Sequence, residues 1–284
     1  MNKNDFYIGW MPNAPPIYFK FVRKYLFALI VLTISLGVVL ALSQKQFATG
    51  TFEFGKLTEL KGIYFSQPIP SLKIVTGKDI WGNPSYITCP LVGYGKHGAA
   101  GIIAEIEKEK GTTLNKREVT LKVILLYNDG KTIVQIDKND NPLVSVGKFM
   151  PGEFLPLSKA LGTQKVKGEI VDPKCFFGVM KPGEGKVHRD CAIRCILGGI
   201  PPVFHVQNEK GESNYYLILG QNGESVNEKI TDLVAEPIEI EARLVQHDDW
   251  ILMYMNDEEK GQRISYYDML SSGKNCTLTG CGTH

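Results

Sequence analysis

The sequence predicts a mainly β protein in which one N-terminal transmembrane helix precedes two small β-barrel modules. Two observations indicate this class. An uncharged apolar run lies near the N-terminus, and from residue 50 onward short alternating segments are separated by Gly, Pro, Asn and Asp. Such an apolar run suits a membrane-spanning helix, whereas alternation of apolar and polar residues is typical of half-buried strands. A third observation, the similarity of two hairpins, indicates that the β-rich part is a divergent repeat.

The overall composition excludes several classes of protein. The chain has 284 residues, 43% of them hydrophobic, and a formal net charge of +2. This length allows two small domains with a core each. The nearly balanced charge is unlike that of a nucleic-acid binder, which needs a dominant basic face, so no nucleic-acid partner is expected. The moderate hydrophobic content excludes a polytopic membrane protein and a disordered chain.

The apolar run, YLFALIVLTISLGVVLAL, extends over Tyr25–Leu42 and contains no charged residue. As a helix it reaches about 27 Å, close to the hydrocarbon thickness of a bilayer. The leader, residues 1–24, carries a net charge of +3, which leaves about −1 for the rest of the chain. By the positive-inside rule we expect a single-pass inner-membrane protein with a cytoplasmic leader, residues 25–42 in the lipid bilayer and residues 43–284 in the periplasm.

A cleaved signal peptide is the competing interpretation of the N-terminal region. Ala41-Leu42-Ser43 has the small-x-small form that signal peptidases accept. However, the apolar run is longer than a usual signal-peptide core, and a long leader precedes it. We therefore favour an uncleaved signal anchor.

Two segments have the pattern of β-hairpins. VTLKVILLYNDGKTIVQI (Val119–Ile136) turns at Asp129-Gly130, and IEIEARLVQHDDWILMYM (Ile238–Met255) turns at Asp248-Asp249. The two segments align without a gap, apolar position on apolar position. The alignment predicts that they are the same hairpin in two copies of one module.

Two shorter correspondences precede the hairpins. Lys61-Gly62-Ile63 is similar to Lys167-Gly168-Glu169-Ile170, and Gly93–His97 (GYGKH) is similar to Gly183–His188 (GEGKVH). They occur in the same order in both halves, which supports a duplicated module. We therefore predict a first module over residues 50–149, a Pro- and Gly-containing linker over 150–164, a second module over 165–258 and a C-terminal tail over 259–284.

The second module shows a complete order of elements. Its predicted strands are KVKGEIV, PVFHV, NYYLILG and the two strands of the final hairpin, and a helix, SVNEKITDLVAE (Ser225–Glu236), lies between the third and fourth strands. Five strands with a helix in that place are typical of an OB-like barrel. The first module has its clearest helix at Ala100–Gly111.

The segment with the most chemistry is the loop between the first two strands of the second module, Asp172–Pro202. It contains Cys175, His188, Cys191 and Cys195. If CAIRC is helical, the side chains of His188, Cys191 and Cys195 share one face, because residues three and four apart are neighbours on a helix. Glycines on both sides of this segment allow tight turns around it.

The loop resembles that of a family of small exported bacterial proteins with an OB-like domain. The shared arrangement is D-x-x-C followed by H-x-x-C-A-x-x-C-x-x-x-G-x-P, which here runs from Asp172 and Cys175 to His188 and on to Pro201. The resemblance covers the second module only. It implies an extracytoplasmic OB-like domain and assigns no catalytic residue. In the first module His97 is retained, but Gly98-Ala99-Ala100 stands where the cysteine-bearing turn would be, so we expect no such site there.

Three interpretations of the loop remain open. The first is structural: two of Cys175, Cys191 and Cys195 form a disulfide, as exported proteins favour, although three cysteines leave one over. The second is a zinc or Cu(I) site formed by these cysteines and His188, whose donor types suit thiophilic ions. The third is thiol–disulfide exchange by Cys191 or Cys195 next to basic residues, although the CxxC motif typical of such proteins is absent.

Other candidates are weaker. GEGK at residues 183–186 lacks the first glycine and the Ser/Thr of a phosphate-binding loop. In the tail, Cys276 and Cys281 are candidates for a local disulfide. Four aromatic residues in the second barrel are candidates for an aromatic binding face, although strand spacing also suits core positions: Tyr215, Tyr216, Trp250 and Tyr254.

The sequence contains no recognisable acid–base pair, nucleophile motif or cofactor fingerprint. We therefore expect a non-enzymatic accessory or binding subunit, anchored beside a membrane-embedded or periplasmic partner protein, in which the cysteine loop shapes a recognition surface. The alternative is a subunit that binds zinc or copper, or transfers electrons, through Cys175, His188, Cys191 and Cys195.

Overall fold

The structure is a computed structural model that describes residues 15–44, 50–78, 80, 82, 84–137, 141–150, 152, 156–208, 212–256, 261–271, 276–277 and 280–281. The chain divides into two compact units, Met1–Phe47 and Ala48–His284. Within its described residues the first unit is one helix. The second unit is mainly β-sheet.

The first unit consists of helix α1 (Pro16–Ser43), which is 28 residues long. It begins earlier than the uncharged run, because Pro16 suits the first helical turn and Lys20, Arg23 and Lys24 are good helix formers. By length and composition the helix is able to cross a membrane, and a signal sequence would meet the same criteria. The structure is therefore compatible with a single-pass protein or a signal anchor. The leader's residues 1–14 lie outside the described residues.

The second unit contains fifteen strands and three α-helices among its described residues. The strands are β1 (Thr51–Phe52), β2 (Thr58–Phe65), β3 (Ser71–Lys78), β4 (Pro84–Val92), β5 (Arg117–Asn128), β6 (Lys131–Ile136), β7 (Leu143–Phe149), β8 (Ser158–Val171), β9 (Val203–Gln207), β10 (Ser213–Gly220), β11 (Pro237–His247), β12 (Trp250–Met255), β13 (Gln262–Arg263), β14 (Cys276–Thr277) and β15 (Gly280–Cys281). The helices are α2 (Ala100–Lys110), α3 (Arg189–Leu197) and α4 (Tyr266–Ser271).

The first barrel is closed by five strands in the order β2-β3-β4-β6-β5, with β5 returning to β2. The β4–β6 pair is parallel, and the other four pairs are antiparallel. Alternate residues of β5 face inward, so that Val119, Leu121 and Val123 are buried in the core. Helix α2 connects β4 to β5 and buries Ile103 and Ile106. The helix predicted at Ala100–Gly111 is thus confirmed.

The second barrel repeats this topology in the order β8-β9-β10-β12-β11, with β11 returning to β8. The parallel pair, β10–β12, again joins the third and fifth strands. This strand order is that of an OB barrel. The predicted fold class, one helix followed by two OB-like barrels, is therefore confirmed.

The helix predicted at Ser225–Glu236 is wrong. The segment forms consecutive turns, with bonds such as Lys229 N to Val226 O (2.9 Å) and Leu233 N to Ile230 O (2.9 Å). Its apolar residues have helical spacing and are buried. However, Asn, Thr and Asp weaken the helix, and Ala235 adopts a positive φ of 60°. Burial of the apolar side chains therefore holds the segment without regular helix.

The predicted module boundaries need correction at both ends of the second barrel. Strand β8 begins at Ser158, inside the predicted linker 150–164, and pairs along its length with β11. Gly162, with a φ of 84°, lies where the register between β8 and β11 shifts, and this bulge hides the alternation in the sequence. Beyond residue 258, β13 pairs with β11 and α4 buries Met269, so part of the predicted tail belongs to the barrel unit.

The strand registers support two of the three sequence correspondences between the modules. Gly62 pairs with Val119 in the first barrel, and Gly168 pairs with Ile238 in the second, which are corresponding positions of the aligned hairpins. The third correspondence is wrong. GYGKH at 93–97 follows the third strand of its barrel, whereas GEGKVH at 183–188 lies between the first two strands of the other.

The barrels share a buried apolar interface. Phe177 and Trp250 belong to it, with ring centroids 6.5 Å apart and nearly parallel planes. Both barrels contribute side chains: Leu126 and Ile133 from the first, and Val171, Phe176, Val203, Tyr215, Leu217, Leu219 and Leu252 from the second. The two barrels therefore form one packed body.

The tip of each β-hairpin bonds to the third strand of the opposite barrel. Tyr215 Oη donates to Asp129 Oδ2 at 2.7 Å, and Thr88 Oγ1 donates to Asp248 Oδ2 at 3.0 Å. Asp129 and Asp248 are corresponding hairpin residues. The parallel strand registers show that Thr88 and Tyr215 are also corresponding positions. We call these two bonds the reciprocal hairpin contacts.

Further polar contacts secure the tip of the second hairpin. Lys73 Nζ lies 2.9 Å from Asp248 Oδ1, and both side chains are more than nine-tenths buried. Trp250 Nε1 donates to Thr88 O at 2.8 Å, and the Lys131 ammonium lies 5.3 Å from the centre of the Trp250 ring. The junction of the barrels is thus both apolar and specifically paired.

His247, at the end of β11, predicts a pH dependence of stability. Burial and the nearby Lys73 lower the pKa of His247, while Asp248 and Asp249 oppose this shift. Its Nδ1 also lies 3.1 Å from Ser158 Oγ. Because the unfolded chain binds this proton more tightly, the stability contributed by neutral His247 is complete above pH about 6.5 and is lost as the pH falls below it.

We expect the urea concentration at the unfolding midpoint to decrease when the pH is lowered from 7.5 to 5.5. The decrease should be smaller in the His247→Gln variant. Some pH dependence remains in the variant, because burial lowers the pKa of His188 as well. An unchanged pH dependence in His247→Gln would contradict the prediction.

Candidate metal centre

The cysteine loop begins where β8 ends. Asp172 accepts the Lys174 backbone N–H through Oδ1 at 2.9 Å and the Phe176 N–H through its carbonyl at 3.0 Å. These bonds form a tight turn that leads into a π-type helical turn, Cys175–Val179. Gly183 packs on this turn so closely that a Cβ there would lie 2.6 Å from the Phe176 Cα. The side chain of Cys175 is thereby fixed in the interior.

The second half of the loop is helical, as predicted for CAIRC. A 3₁₀ turn, Lys186–His188, leads directly into α3, so His188 precedes the helix and Cys191 lies in its first turn. Arg189 Nη1 bonds to Glu236 Oε1 at 2.6 Å, which holds the start of the helix to the barrel. Cys195 is buried on the face of α3 that packs inward.

The loop brings its metal-ligand side chains together in two overlapping groups. In the first group the donor atoms of Cys175, His188 and Cys191 all lie within 4.8 Å of one another. In the second group the donor atoms of Asp172, Cys175 and Cys195 do so. The four predicted ligands are therefore divided between two groups that share Cys175.

Two buried polar atoms in these groups have no hydrogen-bond partner. They are His188 Nε2 and Asp172 Oδ2, on side chains that are 4% and 0% exposed. Burial lowers the pKa of His188, against the opposing effect of Asp172, so its imidazole is neutral and keeps a lone pair. Buried polar atoms without partners are rare, because each loses its bonds to water. These two atoms are therefore available to bind a ligand.

The thiol of Cys175 belongs to both groups. Its hydrogen bond with Cys195, followed by burial and the Asp172 carboxylate, raises the pKa of Cys175 far above its ordinary value. The thiol is thus protonated in the absence of a cation. Binding of a thiophilic ion would displace that proton, as is usual for metal-bound cysteines.

A loop of the first barrel, Gly93–Gly98, covers this cluster. Lys174, within the cysteine loop, donates through Nζ to Gly93 O at 2.8 Å and to Gly95 O at 2.7 Å. Gly98 N donates to Gly198 O at 2.9 Å. Gly98 has to be glycine here, because a Cβ would collide with the Gly199 backbone. GYGKH therefore covers the cysteine site of the other barrel.

Lys96, from the same loop, contacts a thiol of the cluster. Its Nζ lies 3.0 Å from Cys191 Sγ, and this contact raises the pKa of Lys96. Cys191 is half-buried, so this part of the cluster is open to solvent. Sequence reasoning missed Lys96 as a site residue because the contact joins different barrels. It also left Asp172 out of the ligand set, although the D-x-x-C pattern contains it.

The remaining predicted site residues lie elsewhere. Tyr215, Tyr216 and Trp250 are 3%, 1% and 1% exposed and form core and interface, so they make no aromatic binding surface. Tyr254 is half-buried beneath Arg243, whose guanidinium lies 4.0 Å from the ring centre. The alternative interpretation of the sequence, that strand spacing places these four aromatic residues at core and cross-strand positions, agrees with their burial.

The cysteines with described side chains are free thiols: Cys89, Cys175, Cys191 and Cys195. Cys89 lies in the core of the first barrel, away from the loop, and burial raises its pKa to about 12. Cys276 and Cys281 are backbone partners in the β14–β15 hairpin, but their side chains lie outside the described residues. A disulfide within the cysteine loop, or between Cys276 and Cys281, stays a prediction.

Fold and site together define a double OB-like barrel protein with a cysteine–histidine–aspartate cluster at the junction of its barrels. Comparison of the chain with protein-family models, with curated proteins and with solved structures finds no match.

Proposed function

We propose that the protein is a membrane-anchored, extracytoplasmic metal-binding protein that holds zinc or Cu(I) through Cys175, His188 and Cys191. One observation carries this proposal: the donor atoms of these residues converge within 4.8 Å. A buried His188 Nε2 without a hydrogen-bond partner supports it. A neutral imidazole and two thiols are donors that zinc and Cu(I) prefer.

The spacing of the donors is compatible with such an ion after small side-chain rotations. Zinc–sulfur bonds of about 2.3 Å and zinc–nitrogen bonds of about 2.0 Å place tetrahedral donors about 3.5–3.8 Å apart. The Lys96 ammonium already contacts Cys191 Sγ. Its positive charge would favour a thiolate ligand at that position. Cys191 is also the half-buried ligand, which provides a route for the ion from solvent.

A structural or redox-active disulfide is the second candidate function. The hydrogen bond between the thiols of Cys175 and Cys195 favours it, since these two sulfurs are already neighbours. Export to an oxidising compartment would favour it further. The disulfide and the metal compete for Cys175, so one preparation distinguishes them.

The test uses the full chain, purified natively in detergent without reductant or chelator. We expect at least one equivalent of zinc or copper per chain by mass spectrometry of the elements, with Cys175 and Cys191 recovered as thiols on denaturation. His188→Gln should weaken binding more than tenfold, as expected for loss of a ligand, whereas His247→Gln should bind like the unmodified protein. Absence of metal together with a Cys175–Cys195 disulfide would overturn the metal proposal and support the disulfide.

The proposed location rests on α1 and its flanks. Lys20, Arg23 and Lys24 precede the apolar run, which supports a cytoplasmic N-terminus and an extracytoplasmic barrel unit. There the protein would act beside a membrane-embedded or periplasmic partner. Protease added to intact spheroplasts should digest the barrel unit and leave a membrane-bound N-terminal fragment. Protection of the barrels, or their release without detergent, would contradict the anchored topology.

A further inference from the structure

We propose that the cluster holds a second metal ion, bound by Asp172, Cys175 and Cys195 and joined to the first ion by the Cys175 thiolate. This inference deepens the proposed function and rests on it. The described residues contain two groups with metal-ligand geometry, and both include Cys175. A thiolate sulfur has several lone pairs and can bridge two thiophilic ions, so one cysteine is able to serve both positions.

The division of the ligands supports two positions over one. A single four-ligand site of Cys175, His188, Cys191 and Cys195 would require all four donor atoms to converge. In the structure Cys195 converges instead with Cys175 and Asp172. The helix explains this: Cys191 lies in the first turn of α3 at the half-exposed side, and Cys195 lies one turn further into the protein and is 2% exposed.

Asp172 supplies the independent argument for the second ion. Its side chain is fully buried, and Oδ1 already accepts the Lys174 N–H, which fixes the orientation of the carboxylate. Oδ2 has no hydrogen-bond partner. One oxygen of the same carboxylate lies within 4.8 Å of the sulfurs of Cys175 and Cys195. A buried carboxylate oxygen without a donor is strongly unfavourable, and a cation among two thiolates would satisfy it.

The probe is cadmium, which is thiophilic and forms absorbing thiolate complexes. The reduced, metal-free full chain in detergent is titrated anaerobically with Cd²⁺ and observed by thiolate-to-metal absorption and by ¹¹³Cd NMR. We expect two equivalents per chain and two ¹¹³Cd resonances, split by coupling through the shared Cys175 sulfur. Asp172→Asn and Cys195→Ser should each weaken the second equivalent more than tenfold while the first remains.

Two control variants make the result specific. Asp190→Asn changes an exposed carboxylate on the same helix and should bind two equivalents. His188→Gln should weaken binding of the first ion. Near-ultraviolet circular dichroism of the buried aromatic residues shows that each variant is folded.

The possible outcomes separate the two proposals. One equivalent per chain that is insensitive to Asp172→Asn overturns the second position and leaves the proposed function intact. Two equivalents without ¹¹³Cd coupling overturn the bridging role of Cys175. No binding by the folded, reduced protein overturns the proposed function itself.

Discussion

Asp248→Ala is expected to lower the free energy of unfolding of the barrel unit by about 3–5 kcal/mol. The Asp248 carboxylate neutralises Lys73 at 2.9 Å, and both side chains are more than nine-tenths buried. The same carboxylate accepts bonds from Thr88 Oγ1 and from the Leu157 backbone N–H. The substitution leaves a buried ammonium without the carboxylate that neutralises it, which costs far more than an exposed ion pair contributes.

Urea denaturation followed by tryptophan fluorescence measures this loss. The control is Glu241→Ala on β11, the strand that leads to Asp248, because the Glu241–Lys165 pair is largely exposed and spans 3.8 Å. That variant should lose at most about 1 kcal/mol. Replacing both members of the buried pair, as Lys73→Met with Asp248→Leu, should recover part of the stability. Equal losses for Asp248→Ala and Glu241→Ala would show that the buried pair is not special.

Trp250→Ala is expected to destabilise the barrel unit by about 3–5 kcal/mol, the usual cost of removing a large buried aromatic side chain. Trp250 is 1% exposed and packs against Phe177 within the apolar interface of the barrels. Its Nε1 donates to Thr88 O of the first barrel, and Lys131 lies over its ring. The substitution therefore removes apolar contact, a hydrogen bond and a cation–π contact together.

Trp250→Phe separates these contributions. It keeps an aromatic ring at the interface and removes the donor, so we expect a loss of about 1–3 kcal/mol. Thermal unfolding by circular dichroism reports both variants. If Trp250→Ala costs no more than Trp250→Phe, the packing of the two barrels does not depend on this side chain.

The barrels were predictable because the alternation of inward- and outward-facing residues in their hairpins is visible in the sequence. Val119, Leu121 and Val123 alternate with polar residues, and the tip at Asp129 has the turn residues that a two-residue loop needs. The segment 225–236 was not predictable by the same means, since its apolar spacing fits a helix as well as a series of turns. Its tertiary contacts decide the outcome, and they lie far away in the sequence.

The cluster was predictable in part. The spacing of His188 and Cys191 placed both at the start of one helix, and the structure brings them to Cys175. The contact of Lys96 with Cys191 was beyond local reasoning, because it depends on how the two barrels pack. GYGKH and GEGKVH are similar in composition, but they do not occupy corresponding positions of a repeated module. Glycine serves close backbone approach in both loops, although the loops occupy different places in their barrels.

The reciprocal hairpin contacts give the single chain the architecture of a symmetric homodimer. In a true homodimer a residue on the twofold axis faces its own copy, so an unlike pair cannot form there. Lys131 and Trp250 are corresponding hairpin residues that face each other across the barrel junction, and two lysines in that place would repel. Covalent linkage of the halves removes this constraint. It allows a cation–π pair at the centre, and it allows one half to carry the cysteine cluster while the other covers it.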